Sequence, residues 1–497
     1  MRFKNFFKRP FVLCILLFSI GTLFSNDLKL GSLFQEHMVL QRNMPIQVWG
    51  KSLPNSLVSI QLKNKIVTVY ADESGAWKTT LPKFKAGGPY KFEVTSGEES
   101  INFTDILIGE VWVCAGQSNM VVPHANIPEV HKLDALAKNI RTFEVPRTVS
   151  FSKEENIQNG VWALKNPSSA TAMTFSYFLQ KNADVPVGII LAAWGSSSLE
   201  GWLPKDIIKE LPHFKTMMET FDANETKQQR IKSILSSKEK RQRKDDIFLR
   251  TQPNVIYNAM MHPLISYSCR GIVWYQGEAN AKSKEDMLQY RKTFPFWVDY
   301  LRTQWKQPSL EFIVVALPGY IGKKNKKPRF DAENPTEDSW AWMRESQYSF
   351  DKIKNVQVVT TIDLGEAFNI HPTDKLPVGK RISLLAEKAT LHKKGLVDGP
   401  KFKSYKVRKN EISIKFSDAK GLKTKDGSSP KGFWVSDKNE KWHQAEAVIK
   451  GKKVIIKAKG VDVPVHVRYA FAAKPMVNLV NKIGLPARPF RTDKFKN

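Results

Sequence analysis

Five continuous apolar runs set the architecture of this chain: "EVWVCAG" (110–116), "VPVGIILAAWG" (185–195), "CRGIVWYQG" (269–277), "LEFIVVALP" (310–318) and "VQVVTTIDLG" (356–365). A strand apolar on both faces must lie between two covering layers, so none of these can have a face in water. The stretches between them, 168–182, 283–304, 339–352 and 377–394, are long enough for helices. Strand–helix alternation of this kind predicts an α/β domain, a parallel sheet with helices on both faces. Residues 222–250 are highly charged with amphipathic spacing and read as a helical insertion over its surface.

The flanks have a different rhythm. From residue 26 to 107 the chain runs through short alternating segments, 44–50, 57–64, 65–72, 75–82 and 90–97, punctuated by Gly, Pro, Asn and Asp. That pattern predicts an N-terminal β-sandwich over 26–107. From 396 to 497 short strands return, at 411–418, 432–437, 447–458 and 463–471, as a C-terminal β domain. The α/β domain between them spans 108–395.

Residues 1–25 open with Arg2, Lys4, Lys8 and Arg9, then run apolar from Phe11 to Phe24, as a secretory signal peptide does. The expectation is a secreted or periplasmic protein with no stable membrane insertion once the leader is removed. The formal net charge of +29 suits an anionic partner, but the cations are scattered and no nucleic-acid module accompanies them. Nucleic acid is therefore excluded as a partner. Cys114 and Cys269 lie in apparent strands and read as buried small hydrophobes, not a bridge, and no Cys/His spacing calls for a metal.

Chemistry-bearing residues gather where the apolar runs end, the edge at which α/β sheets build sites. "GQSNM" (116–120) puts Ser118 on a glycine turn, where a nucleophile would meet backbone N–H donors. "WGSSSLEGW" (194–202) offers the unhindered N–H of Gly195, and "WYQGEAN" (274–280) the amide of Asn280, with Gln276 and Glu278 as braces. "NIHPTDKLPVG" (369–379) brings His371. Singly, each is an ordinary turn or helix cap. Trp112, Trp194, Trp202, Trp274 and Tyr275 flank these segments, as site walls or as core.

Together the four blocks resemble the SGNH hydrolases, and within them the sialate O-acetylesterase group. "LFQEHMVLQRNMPIQVWG" (33–50) and "VRYAFAAKPMVNLVNKIGLPARPF" (467–490) extend the likeness to nearly the whole chain after the leader. The resemblance implies a serine esterase that releases acetate from O-acetylated sugars through an acetyl-serine intermediate, without metal or organic cofactor. Ser118 would be the nucleophile and His371 the base, with the N–H groups of Ser118 and Gly195 and the Asn280 amide around the oxyanion. In one respect the sequence departs from the superfamily. The acid normally found two or three residues before the histidine is absent, Asn369 and Phe368 standing there instead. Asp363, Glu366 and Asp374 are the candidates for a replacement, or a Ser–His dyad operates without one. Sialic acid is the expected sugar. The alternatives are an acetylesterase for plant or algal polysaccharide of acetylxylan type, and a non-catalytic glycan-binding relative.

Overall fold

The computed structural model describes residues 27–323 and 326–493. Its organising element is one strand, β1 (Glu99–Gly116), 18 residues long. The first half of β1 alternates between covered and exposed side chains; from Ile106 to Gly116 every residue is buried. The change marks where the strand leaves a sheet with one wet face and enters a sheet covered on both.

Over its first half β1 pairs antiparallel with Gly87–Ser96, and at its middle, Leu107 to Gly109, it pairs parallel with Val39–Gln41. In its second half it is a central strand among β2 (Ile140–Glu144), β3 (Val187–Ala193), β4 (Gly271–Tyr275), β5 (Glu311–Val315) and β6 (Val356–Val359). Their order is β2-β3-β1-β4-β5-β6, and every neighbouring pair is parallel. With the N-terminal strands and the antiparallel edge Trp162–Ala163, the whole is an eleven-stranded mixed sheet. The chain moves from β1 to the β2 edge, returns through β3, then crosses to β4. A crevice opens beyond the strand ends where the winding reverses in this way.

The boundary expected at 107/108 thus falls inside a single strand. One hydrophobic core runs through it, joining Leu33, Val48 and Phe92 to Val113, Ile190 and Val273. The C-terminal strands enclose a separate core around Ile412, Ile414, Phe433, Val454 and Val467. Two strands escape the hydrophobic pattern. In β2, Arg141 is 7% exposed because its guanidinium bonds the side chain and carbonyl of Asp105. Lys401–Arg408 is lysine-rich and only partly covered. The run 447–458 is not one strand but a hairpin, Glu446–Lys450 against Lys453–Lys457, turning at Gly451.

Helices that matter to the crevice are α1 (Ser118–Val121), α2 (Ala170–Ala183), α3 (Arg243–Arg250), α4 (Lys284–Gln304) and α5 (Leu376–Leu391). The charged insertion at 222–250 is two helices, Glu225–Ser236 and α3, preceded by a third, Pro212–Asp222. Among the described residues no helix is long and apolar enough to cross a membrane. The leader expected over residues 1–25 lies outside the described residues. Cys114 and Cys269 are buried and free, and burial pushes the Cys269 thiol up to about 12.

Helices α2 and α5 meet at a glycine. A Cβ on Gly379 would lie 2.4 Å from Thr174 Cβ and 2.7 Å from the Phe175 backbone nitrogen. Neither neighbour is a flexible side-chain end, so the helices would have to part. Gly379→Ala is expected to destabilise the fold by roughly 1–2 kcal/mol, overpacking outweighing the gain of about 1 kcal/mol in helix propensity. Urea denaturation measures it; an unchanged or raised midpoint would show that the helices have room to separate.

Candidate active site

The nucleophile turn is made by Gly116. Its φ is 136°, and a Cβ there would sit 2.2 Å from the Tyr275 carbonyl oxygen on β4. No other residue allows β1 to run so close to its neighbour and then turn. The Gln117 N–H donates to that same carbonyl at 3.0 Å, and α1 starts at Ser118. Ser118 is half-buried at the crevice floor. Standing first in its helix, its N–H has no intrahelical acceptor, nor any other among the described residues.

Gly195 follows β3 and comes directly beside it. A Cβ on Gly195 would be 3.5 Å from Ser118 Cβ, and the preceding Trp194 N–H donates to the Gly116 carbonyl at 3.0 Å. The Gly195 N–H also lacks an acceptor among the described residues. Two unpaired amide donors therefore flank one hydroxyl, as stabilisation of an oxyanion requires.

Asn280 differs from expectation. Its Nδ2 lies 3.0 and 2.9 Å from the two carboxylate oxygens of Glu200, while its Oδ1 accepts from the Leu199 N–H at 2.9 Å and Gln276 Nε2 at 2.8 Å. In this structure the amide is a clamp on the 195–202 loop rather than a free donor. A buried carboxylate needs compensating hydrogen bonds, and Asn280 supplies them to Glu200, with His213 Nε2 4.0 Å from Oε1. Gln276 is a brace, as expected: its Nε2 reaches Gln117 Oε1 and the Ser197 carbonyl, both at 3.1 Å.

Asn119 fastens the histidine loop to the nucleophile turn. The side chain is fully buried; its Nδ2 donates to Glu278 Oε1 at 2.5 Å and to the Ile370 carbonyl at 3.0 Å. Its Oδ1 accepts from Lys375 Nζ at 2.6 Å, and its own carbonyl accepts from Thr171 Oγ1 at 3.1 Å. Ser118 and His371 are each one residue from this junction. The site thus holds a buried lysine and a buried glutamate joined through one amide. Burial pushes the Glu278 carboxyl up and brings Lys375 down to about 8.

His371 is half-buried, and among the described residues its ring has no hydrogen-bond partner. Burial, then the charge of Lys375, hold its pKa below the usual histidine value. The candidate acids are occupied elsewhere. Both oxygens of Asp363 are bound by Arg381 at 2.7 Å, which removes Asp363 from the role expected of it. Glu366 accepts from Thr373 and from Asn369 Nδ2, and Asn369 in turn accepts the His371 backbone N–H at 3.0 Å. Asp374 is exposed and has no hydrogen bond to the ring. Asn369 therefore shapes the loop and leaves the imidazole without a carboxylate.

Trp112, Trp194, Trp202, Trp274 and Tyr275 are all buried, and belong to the core beneath the crevice. Four residues not expected from the sequence position the site: Gln117, Asn119, Glu200 and Lys375. The two amides of "GQSNM" were visible beside Ser118, but nothing in the sequence showed what they hold.

The chain is similar to known proteins. Residues 248–382 match the family model of carbohydrate esterases described as sialic acid-specific acetylesterase. The mouse sialate O-acetylesterase is 25% identical over 90% of each chain, and the human one 25% identical over 75% of this chain and 73% of that one. A carbohydrate acetylesterase from Xanthomonas citri has a crystal structure that superposes with a TM-score of 0.79. It is 29% identical, and the match covers 94% of this chain and 100% of that one. The chain is an ester hydrolase. Within that class it is similar to the carbohydrate esterases described as sialic acid-specific acetylesterases over residues 248–382, and to the sialate O-acetylesterases over most of its length.

The Lys375 cation beside an imidazole has a kinetic signature. A general base works only when neutral, so with His371 in that role kcat/KM is expected to fall as pH drops through its pKa. Lys375→Met removes the repulsion, raises that pKa and moves the acidic limb of the pH–rate profile to higher pH. Hydrolysis of a chromogenic acetyl ester measures it; a limb that stays in place would show that the cation does not act on the ring.

Proposed function

We propose that this carbohydrate O-acetylesterase works as an SGNH-type serine enzyme on O-acetylated sialic acid. Ser118 Oγ attacks the acetyl carbonyl while His371 takes its proton. The N–H groups of Ser118 and Gly195 hold the tetrahedral oxyanion. The sugar oxygen leaves with the proton from His371, and water, activated by the same ring, frees acetate from the acetyl-serine. Asn280 serves by holding the Gly195 loop through Glu200 and the Leu199 N–H. No carboxylate steadies the imidazolium, so the pair is read as a dyad. Lys375 keeps the base neutral, and ready to accept a proton, to lower pH.

The single observation that carries this reading is the pair of unpartnered N–H groups, from two different strand ends, flanking the one serine hydroxyl. The leader expected at 1–25 completes it as a secreted or periplasmic enzyme.

Acetate release from O-acetylated sialic acid and from acetylated xylan, measured side by side, is the test. Sialate turnover is expected to dominate and to vanish in Ser118→Ala. Asn280→Ala is expected to lose on the order of 10²-fold in kcat/KM, the scale of a small misplacement of catalytic groups. Turnover of xylan alone would move the substrate to plant polysaccharide. Acetate from neither, with folded protein, would leave a glycan-binding relative.

A further inference from the structure

We infer that an arginine cluster beside Ser118, led by Arg250 and Arg147, is an anion-binding subsite for the carboxylate of an acidic sugar whose acetyl ester lies at the serine. The inference rests on the esterase reading above and adds the groups that would select a charged substrate.

Helix α3, the last part of the charged insertion, brings Arg250 back to the crevice. The position a Cβ would take on Gly195 is 3.7 Å from Arg250 Nη1 and 3.5 Å from Ser118 Cβ. The guanidinium and Ser118 therefore lie within 4 Å of one point beside Gly195, within the reach of a single sugar residue. Arg250 has one anionic partner, Asp246, at 2.9 Å from Nη1, and that carboxylate is shared with the Trp194 indole N–H at 3.0 Å. The Arg250 Nε is buried and donates to nothing. Donors are left over on a cation fixed in place by its own helix.

Three further arginines surround it. Arg147, on the loop after β2, donates from Nε to the Ala193 carbonyl at 3.3 Å and leaves the rest of its guanidinium exposed. Arg241 donates to the Arg147 carbonyl at 2.9 Å and lies 5.8 Å from the Trp194 ring. Arg147 and Arg243 both repel charge on Arg250, whose pKa is lowered first by burial and then by these neighbours. Opposing them are Asp246 and Glu144. Glu144 lines the adjoining cleft of about 430 Å³ together with Arg147, Ser168 and Ala193. Asp245 is paired away with Arg230 at 3.0 Å. Cations remain in excess. A guanidinium fork matches a carboxylate in shape and charge, so an acidic sugar gains contacts here that a neutral acetylated sugar does not.

The experiment compares kcat/KM for O-acetylated sialic acid and for its carboxyl methyl ester, in the full chain and in Arg250→Gln and Arg147→Gln. The wild type is expected to prefer the free acid by on the order of 10–100-fold, the span of a charge-assisted hydrogen bond. The preference should shrink with salt, drop towards unity in Arg250→Gln and fall in part in Arg147→Gln. Arg147 is exposed, so its variant reads the subsite even where Arg250→Gln fails to fold. Equal turnover of acid and methyl ester by the wild type, or full preference kept in Arg250→Gln, would overturn the inference. Calorimetric binding of unacetylated sialic acid and its methyl ester separates the two readings. Acid-selective binding without hydrolysis would sink the esterase mechanism and keep the subsite; hydrolysis without acid selectivity would do the reverse.

Discussion

The side chain of Asn119 is where the site is held together. Three segments far apart in sequence meet at one buried carboxamide, the turn after β1, the 276–280 block after β4 and the histidine loop after β6, while helix α2 holds the backbone carbonyl of the same residue. An amide suits this place because it donates and accepts at once. It joins a buried carboxylate, Glu278, to a buried ammonium, Lys375, two ions that would each be costly alone in the interior. The serine and the histidine then need no direct tether. Each is fixed one residue away from the same junction.

The charge around the histidine runs opposite to the familiar triad. In the triad a carboxylate steadies the imidazolium that forms during attack. Here Asn369 takes up the position of the acid and spans Glu366 and the His371 backbone, while the nearest charged group acting on the ring is a lysine. A cation there disfavours the protonated ring, so it costs transition-state stabilisation but keeps the base neutral at lower pH. On the proposed mechanism that exchange favours work in acidic surroundings and leaves the Ser118 and Gly195 amides a larger share of the stabilisation.

The strands and helices of the sheet were readable because continuous apolar runs have few alternatives, and four of the five end at residues the structure brings to one crevice. What stayed hidden was polar. Strand β2 carries Arg141 and Thr142 inside, and only the distant Asp105 makes Arg141 tolerable there. Lys375 is one cation in a chain with 77 Lys and Arg, and nothing local marks it as buried. Asn280 was legible as a site residue but not as a partner of Glu200, since that pairing spans 80 positions. Asp363 looked available until the fold set Arg381 against it. Hydrophobic order is written locally; the partners of buried polar groups are decided by topology.

The claim on which the account turns is that Asn119 presents Ser118 to His371. The rate at which a fluorophosphonate labels the folded protein, with the modified residue mapped by mass spectrometry, tests it most directly. The account predicts labelling at Ser118 in the wild type and a fall on the order of 10²-fold in Asn119→Ala, as misplaced catalytic groups lose reactivity. Labelling at another residue, or an Asn119→Ala protein labelled as fast as the wild type, would contradict it.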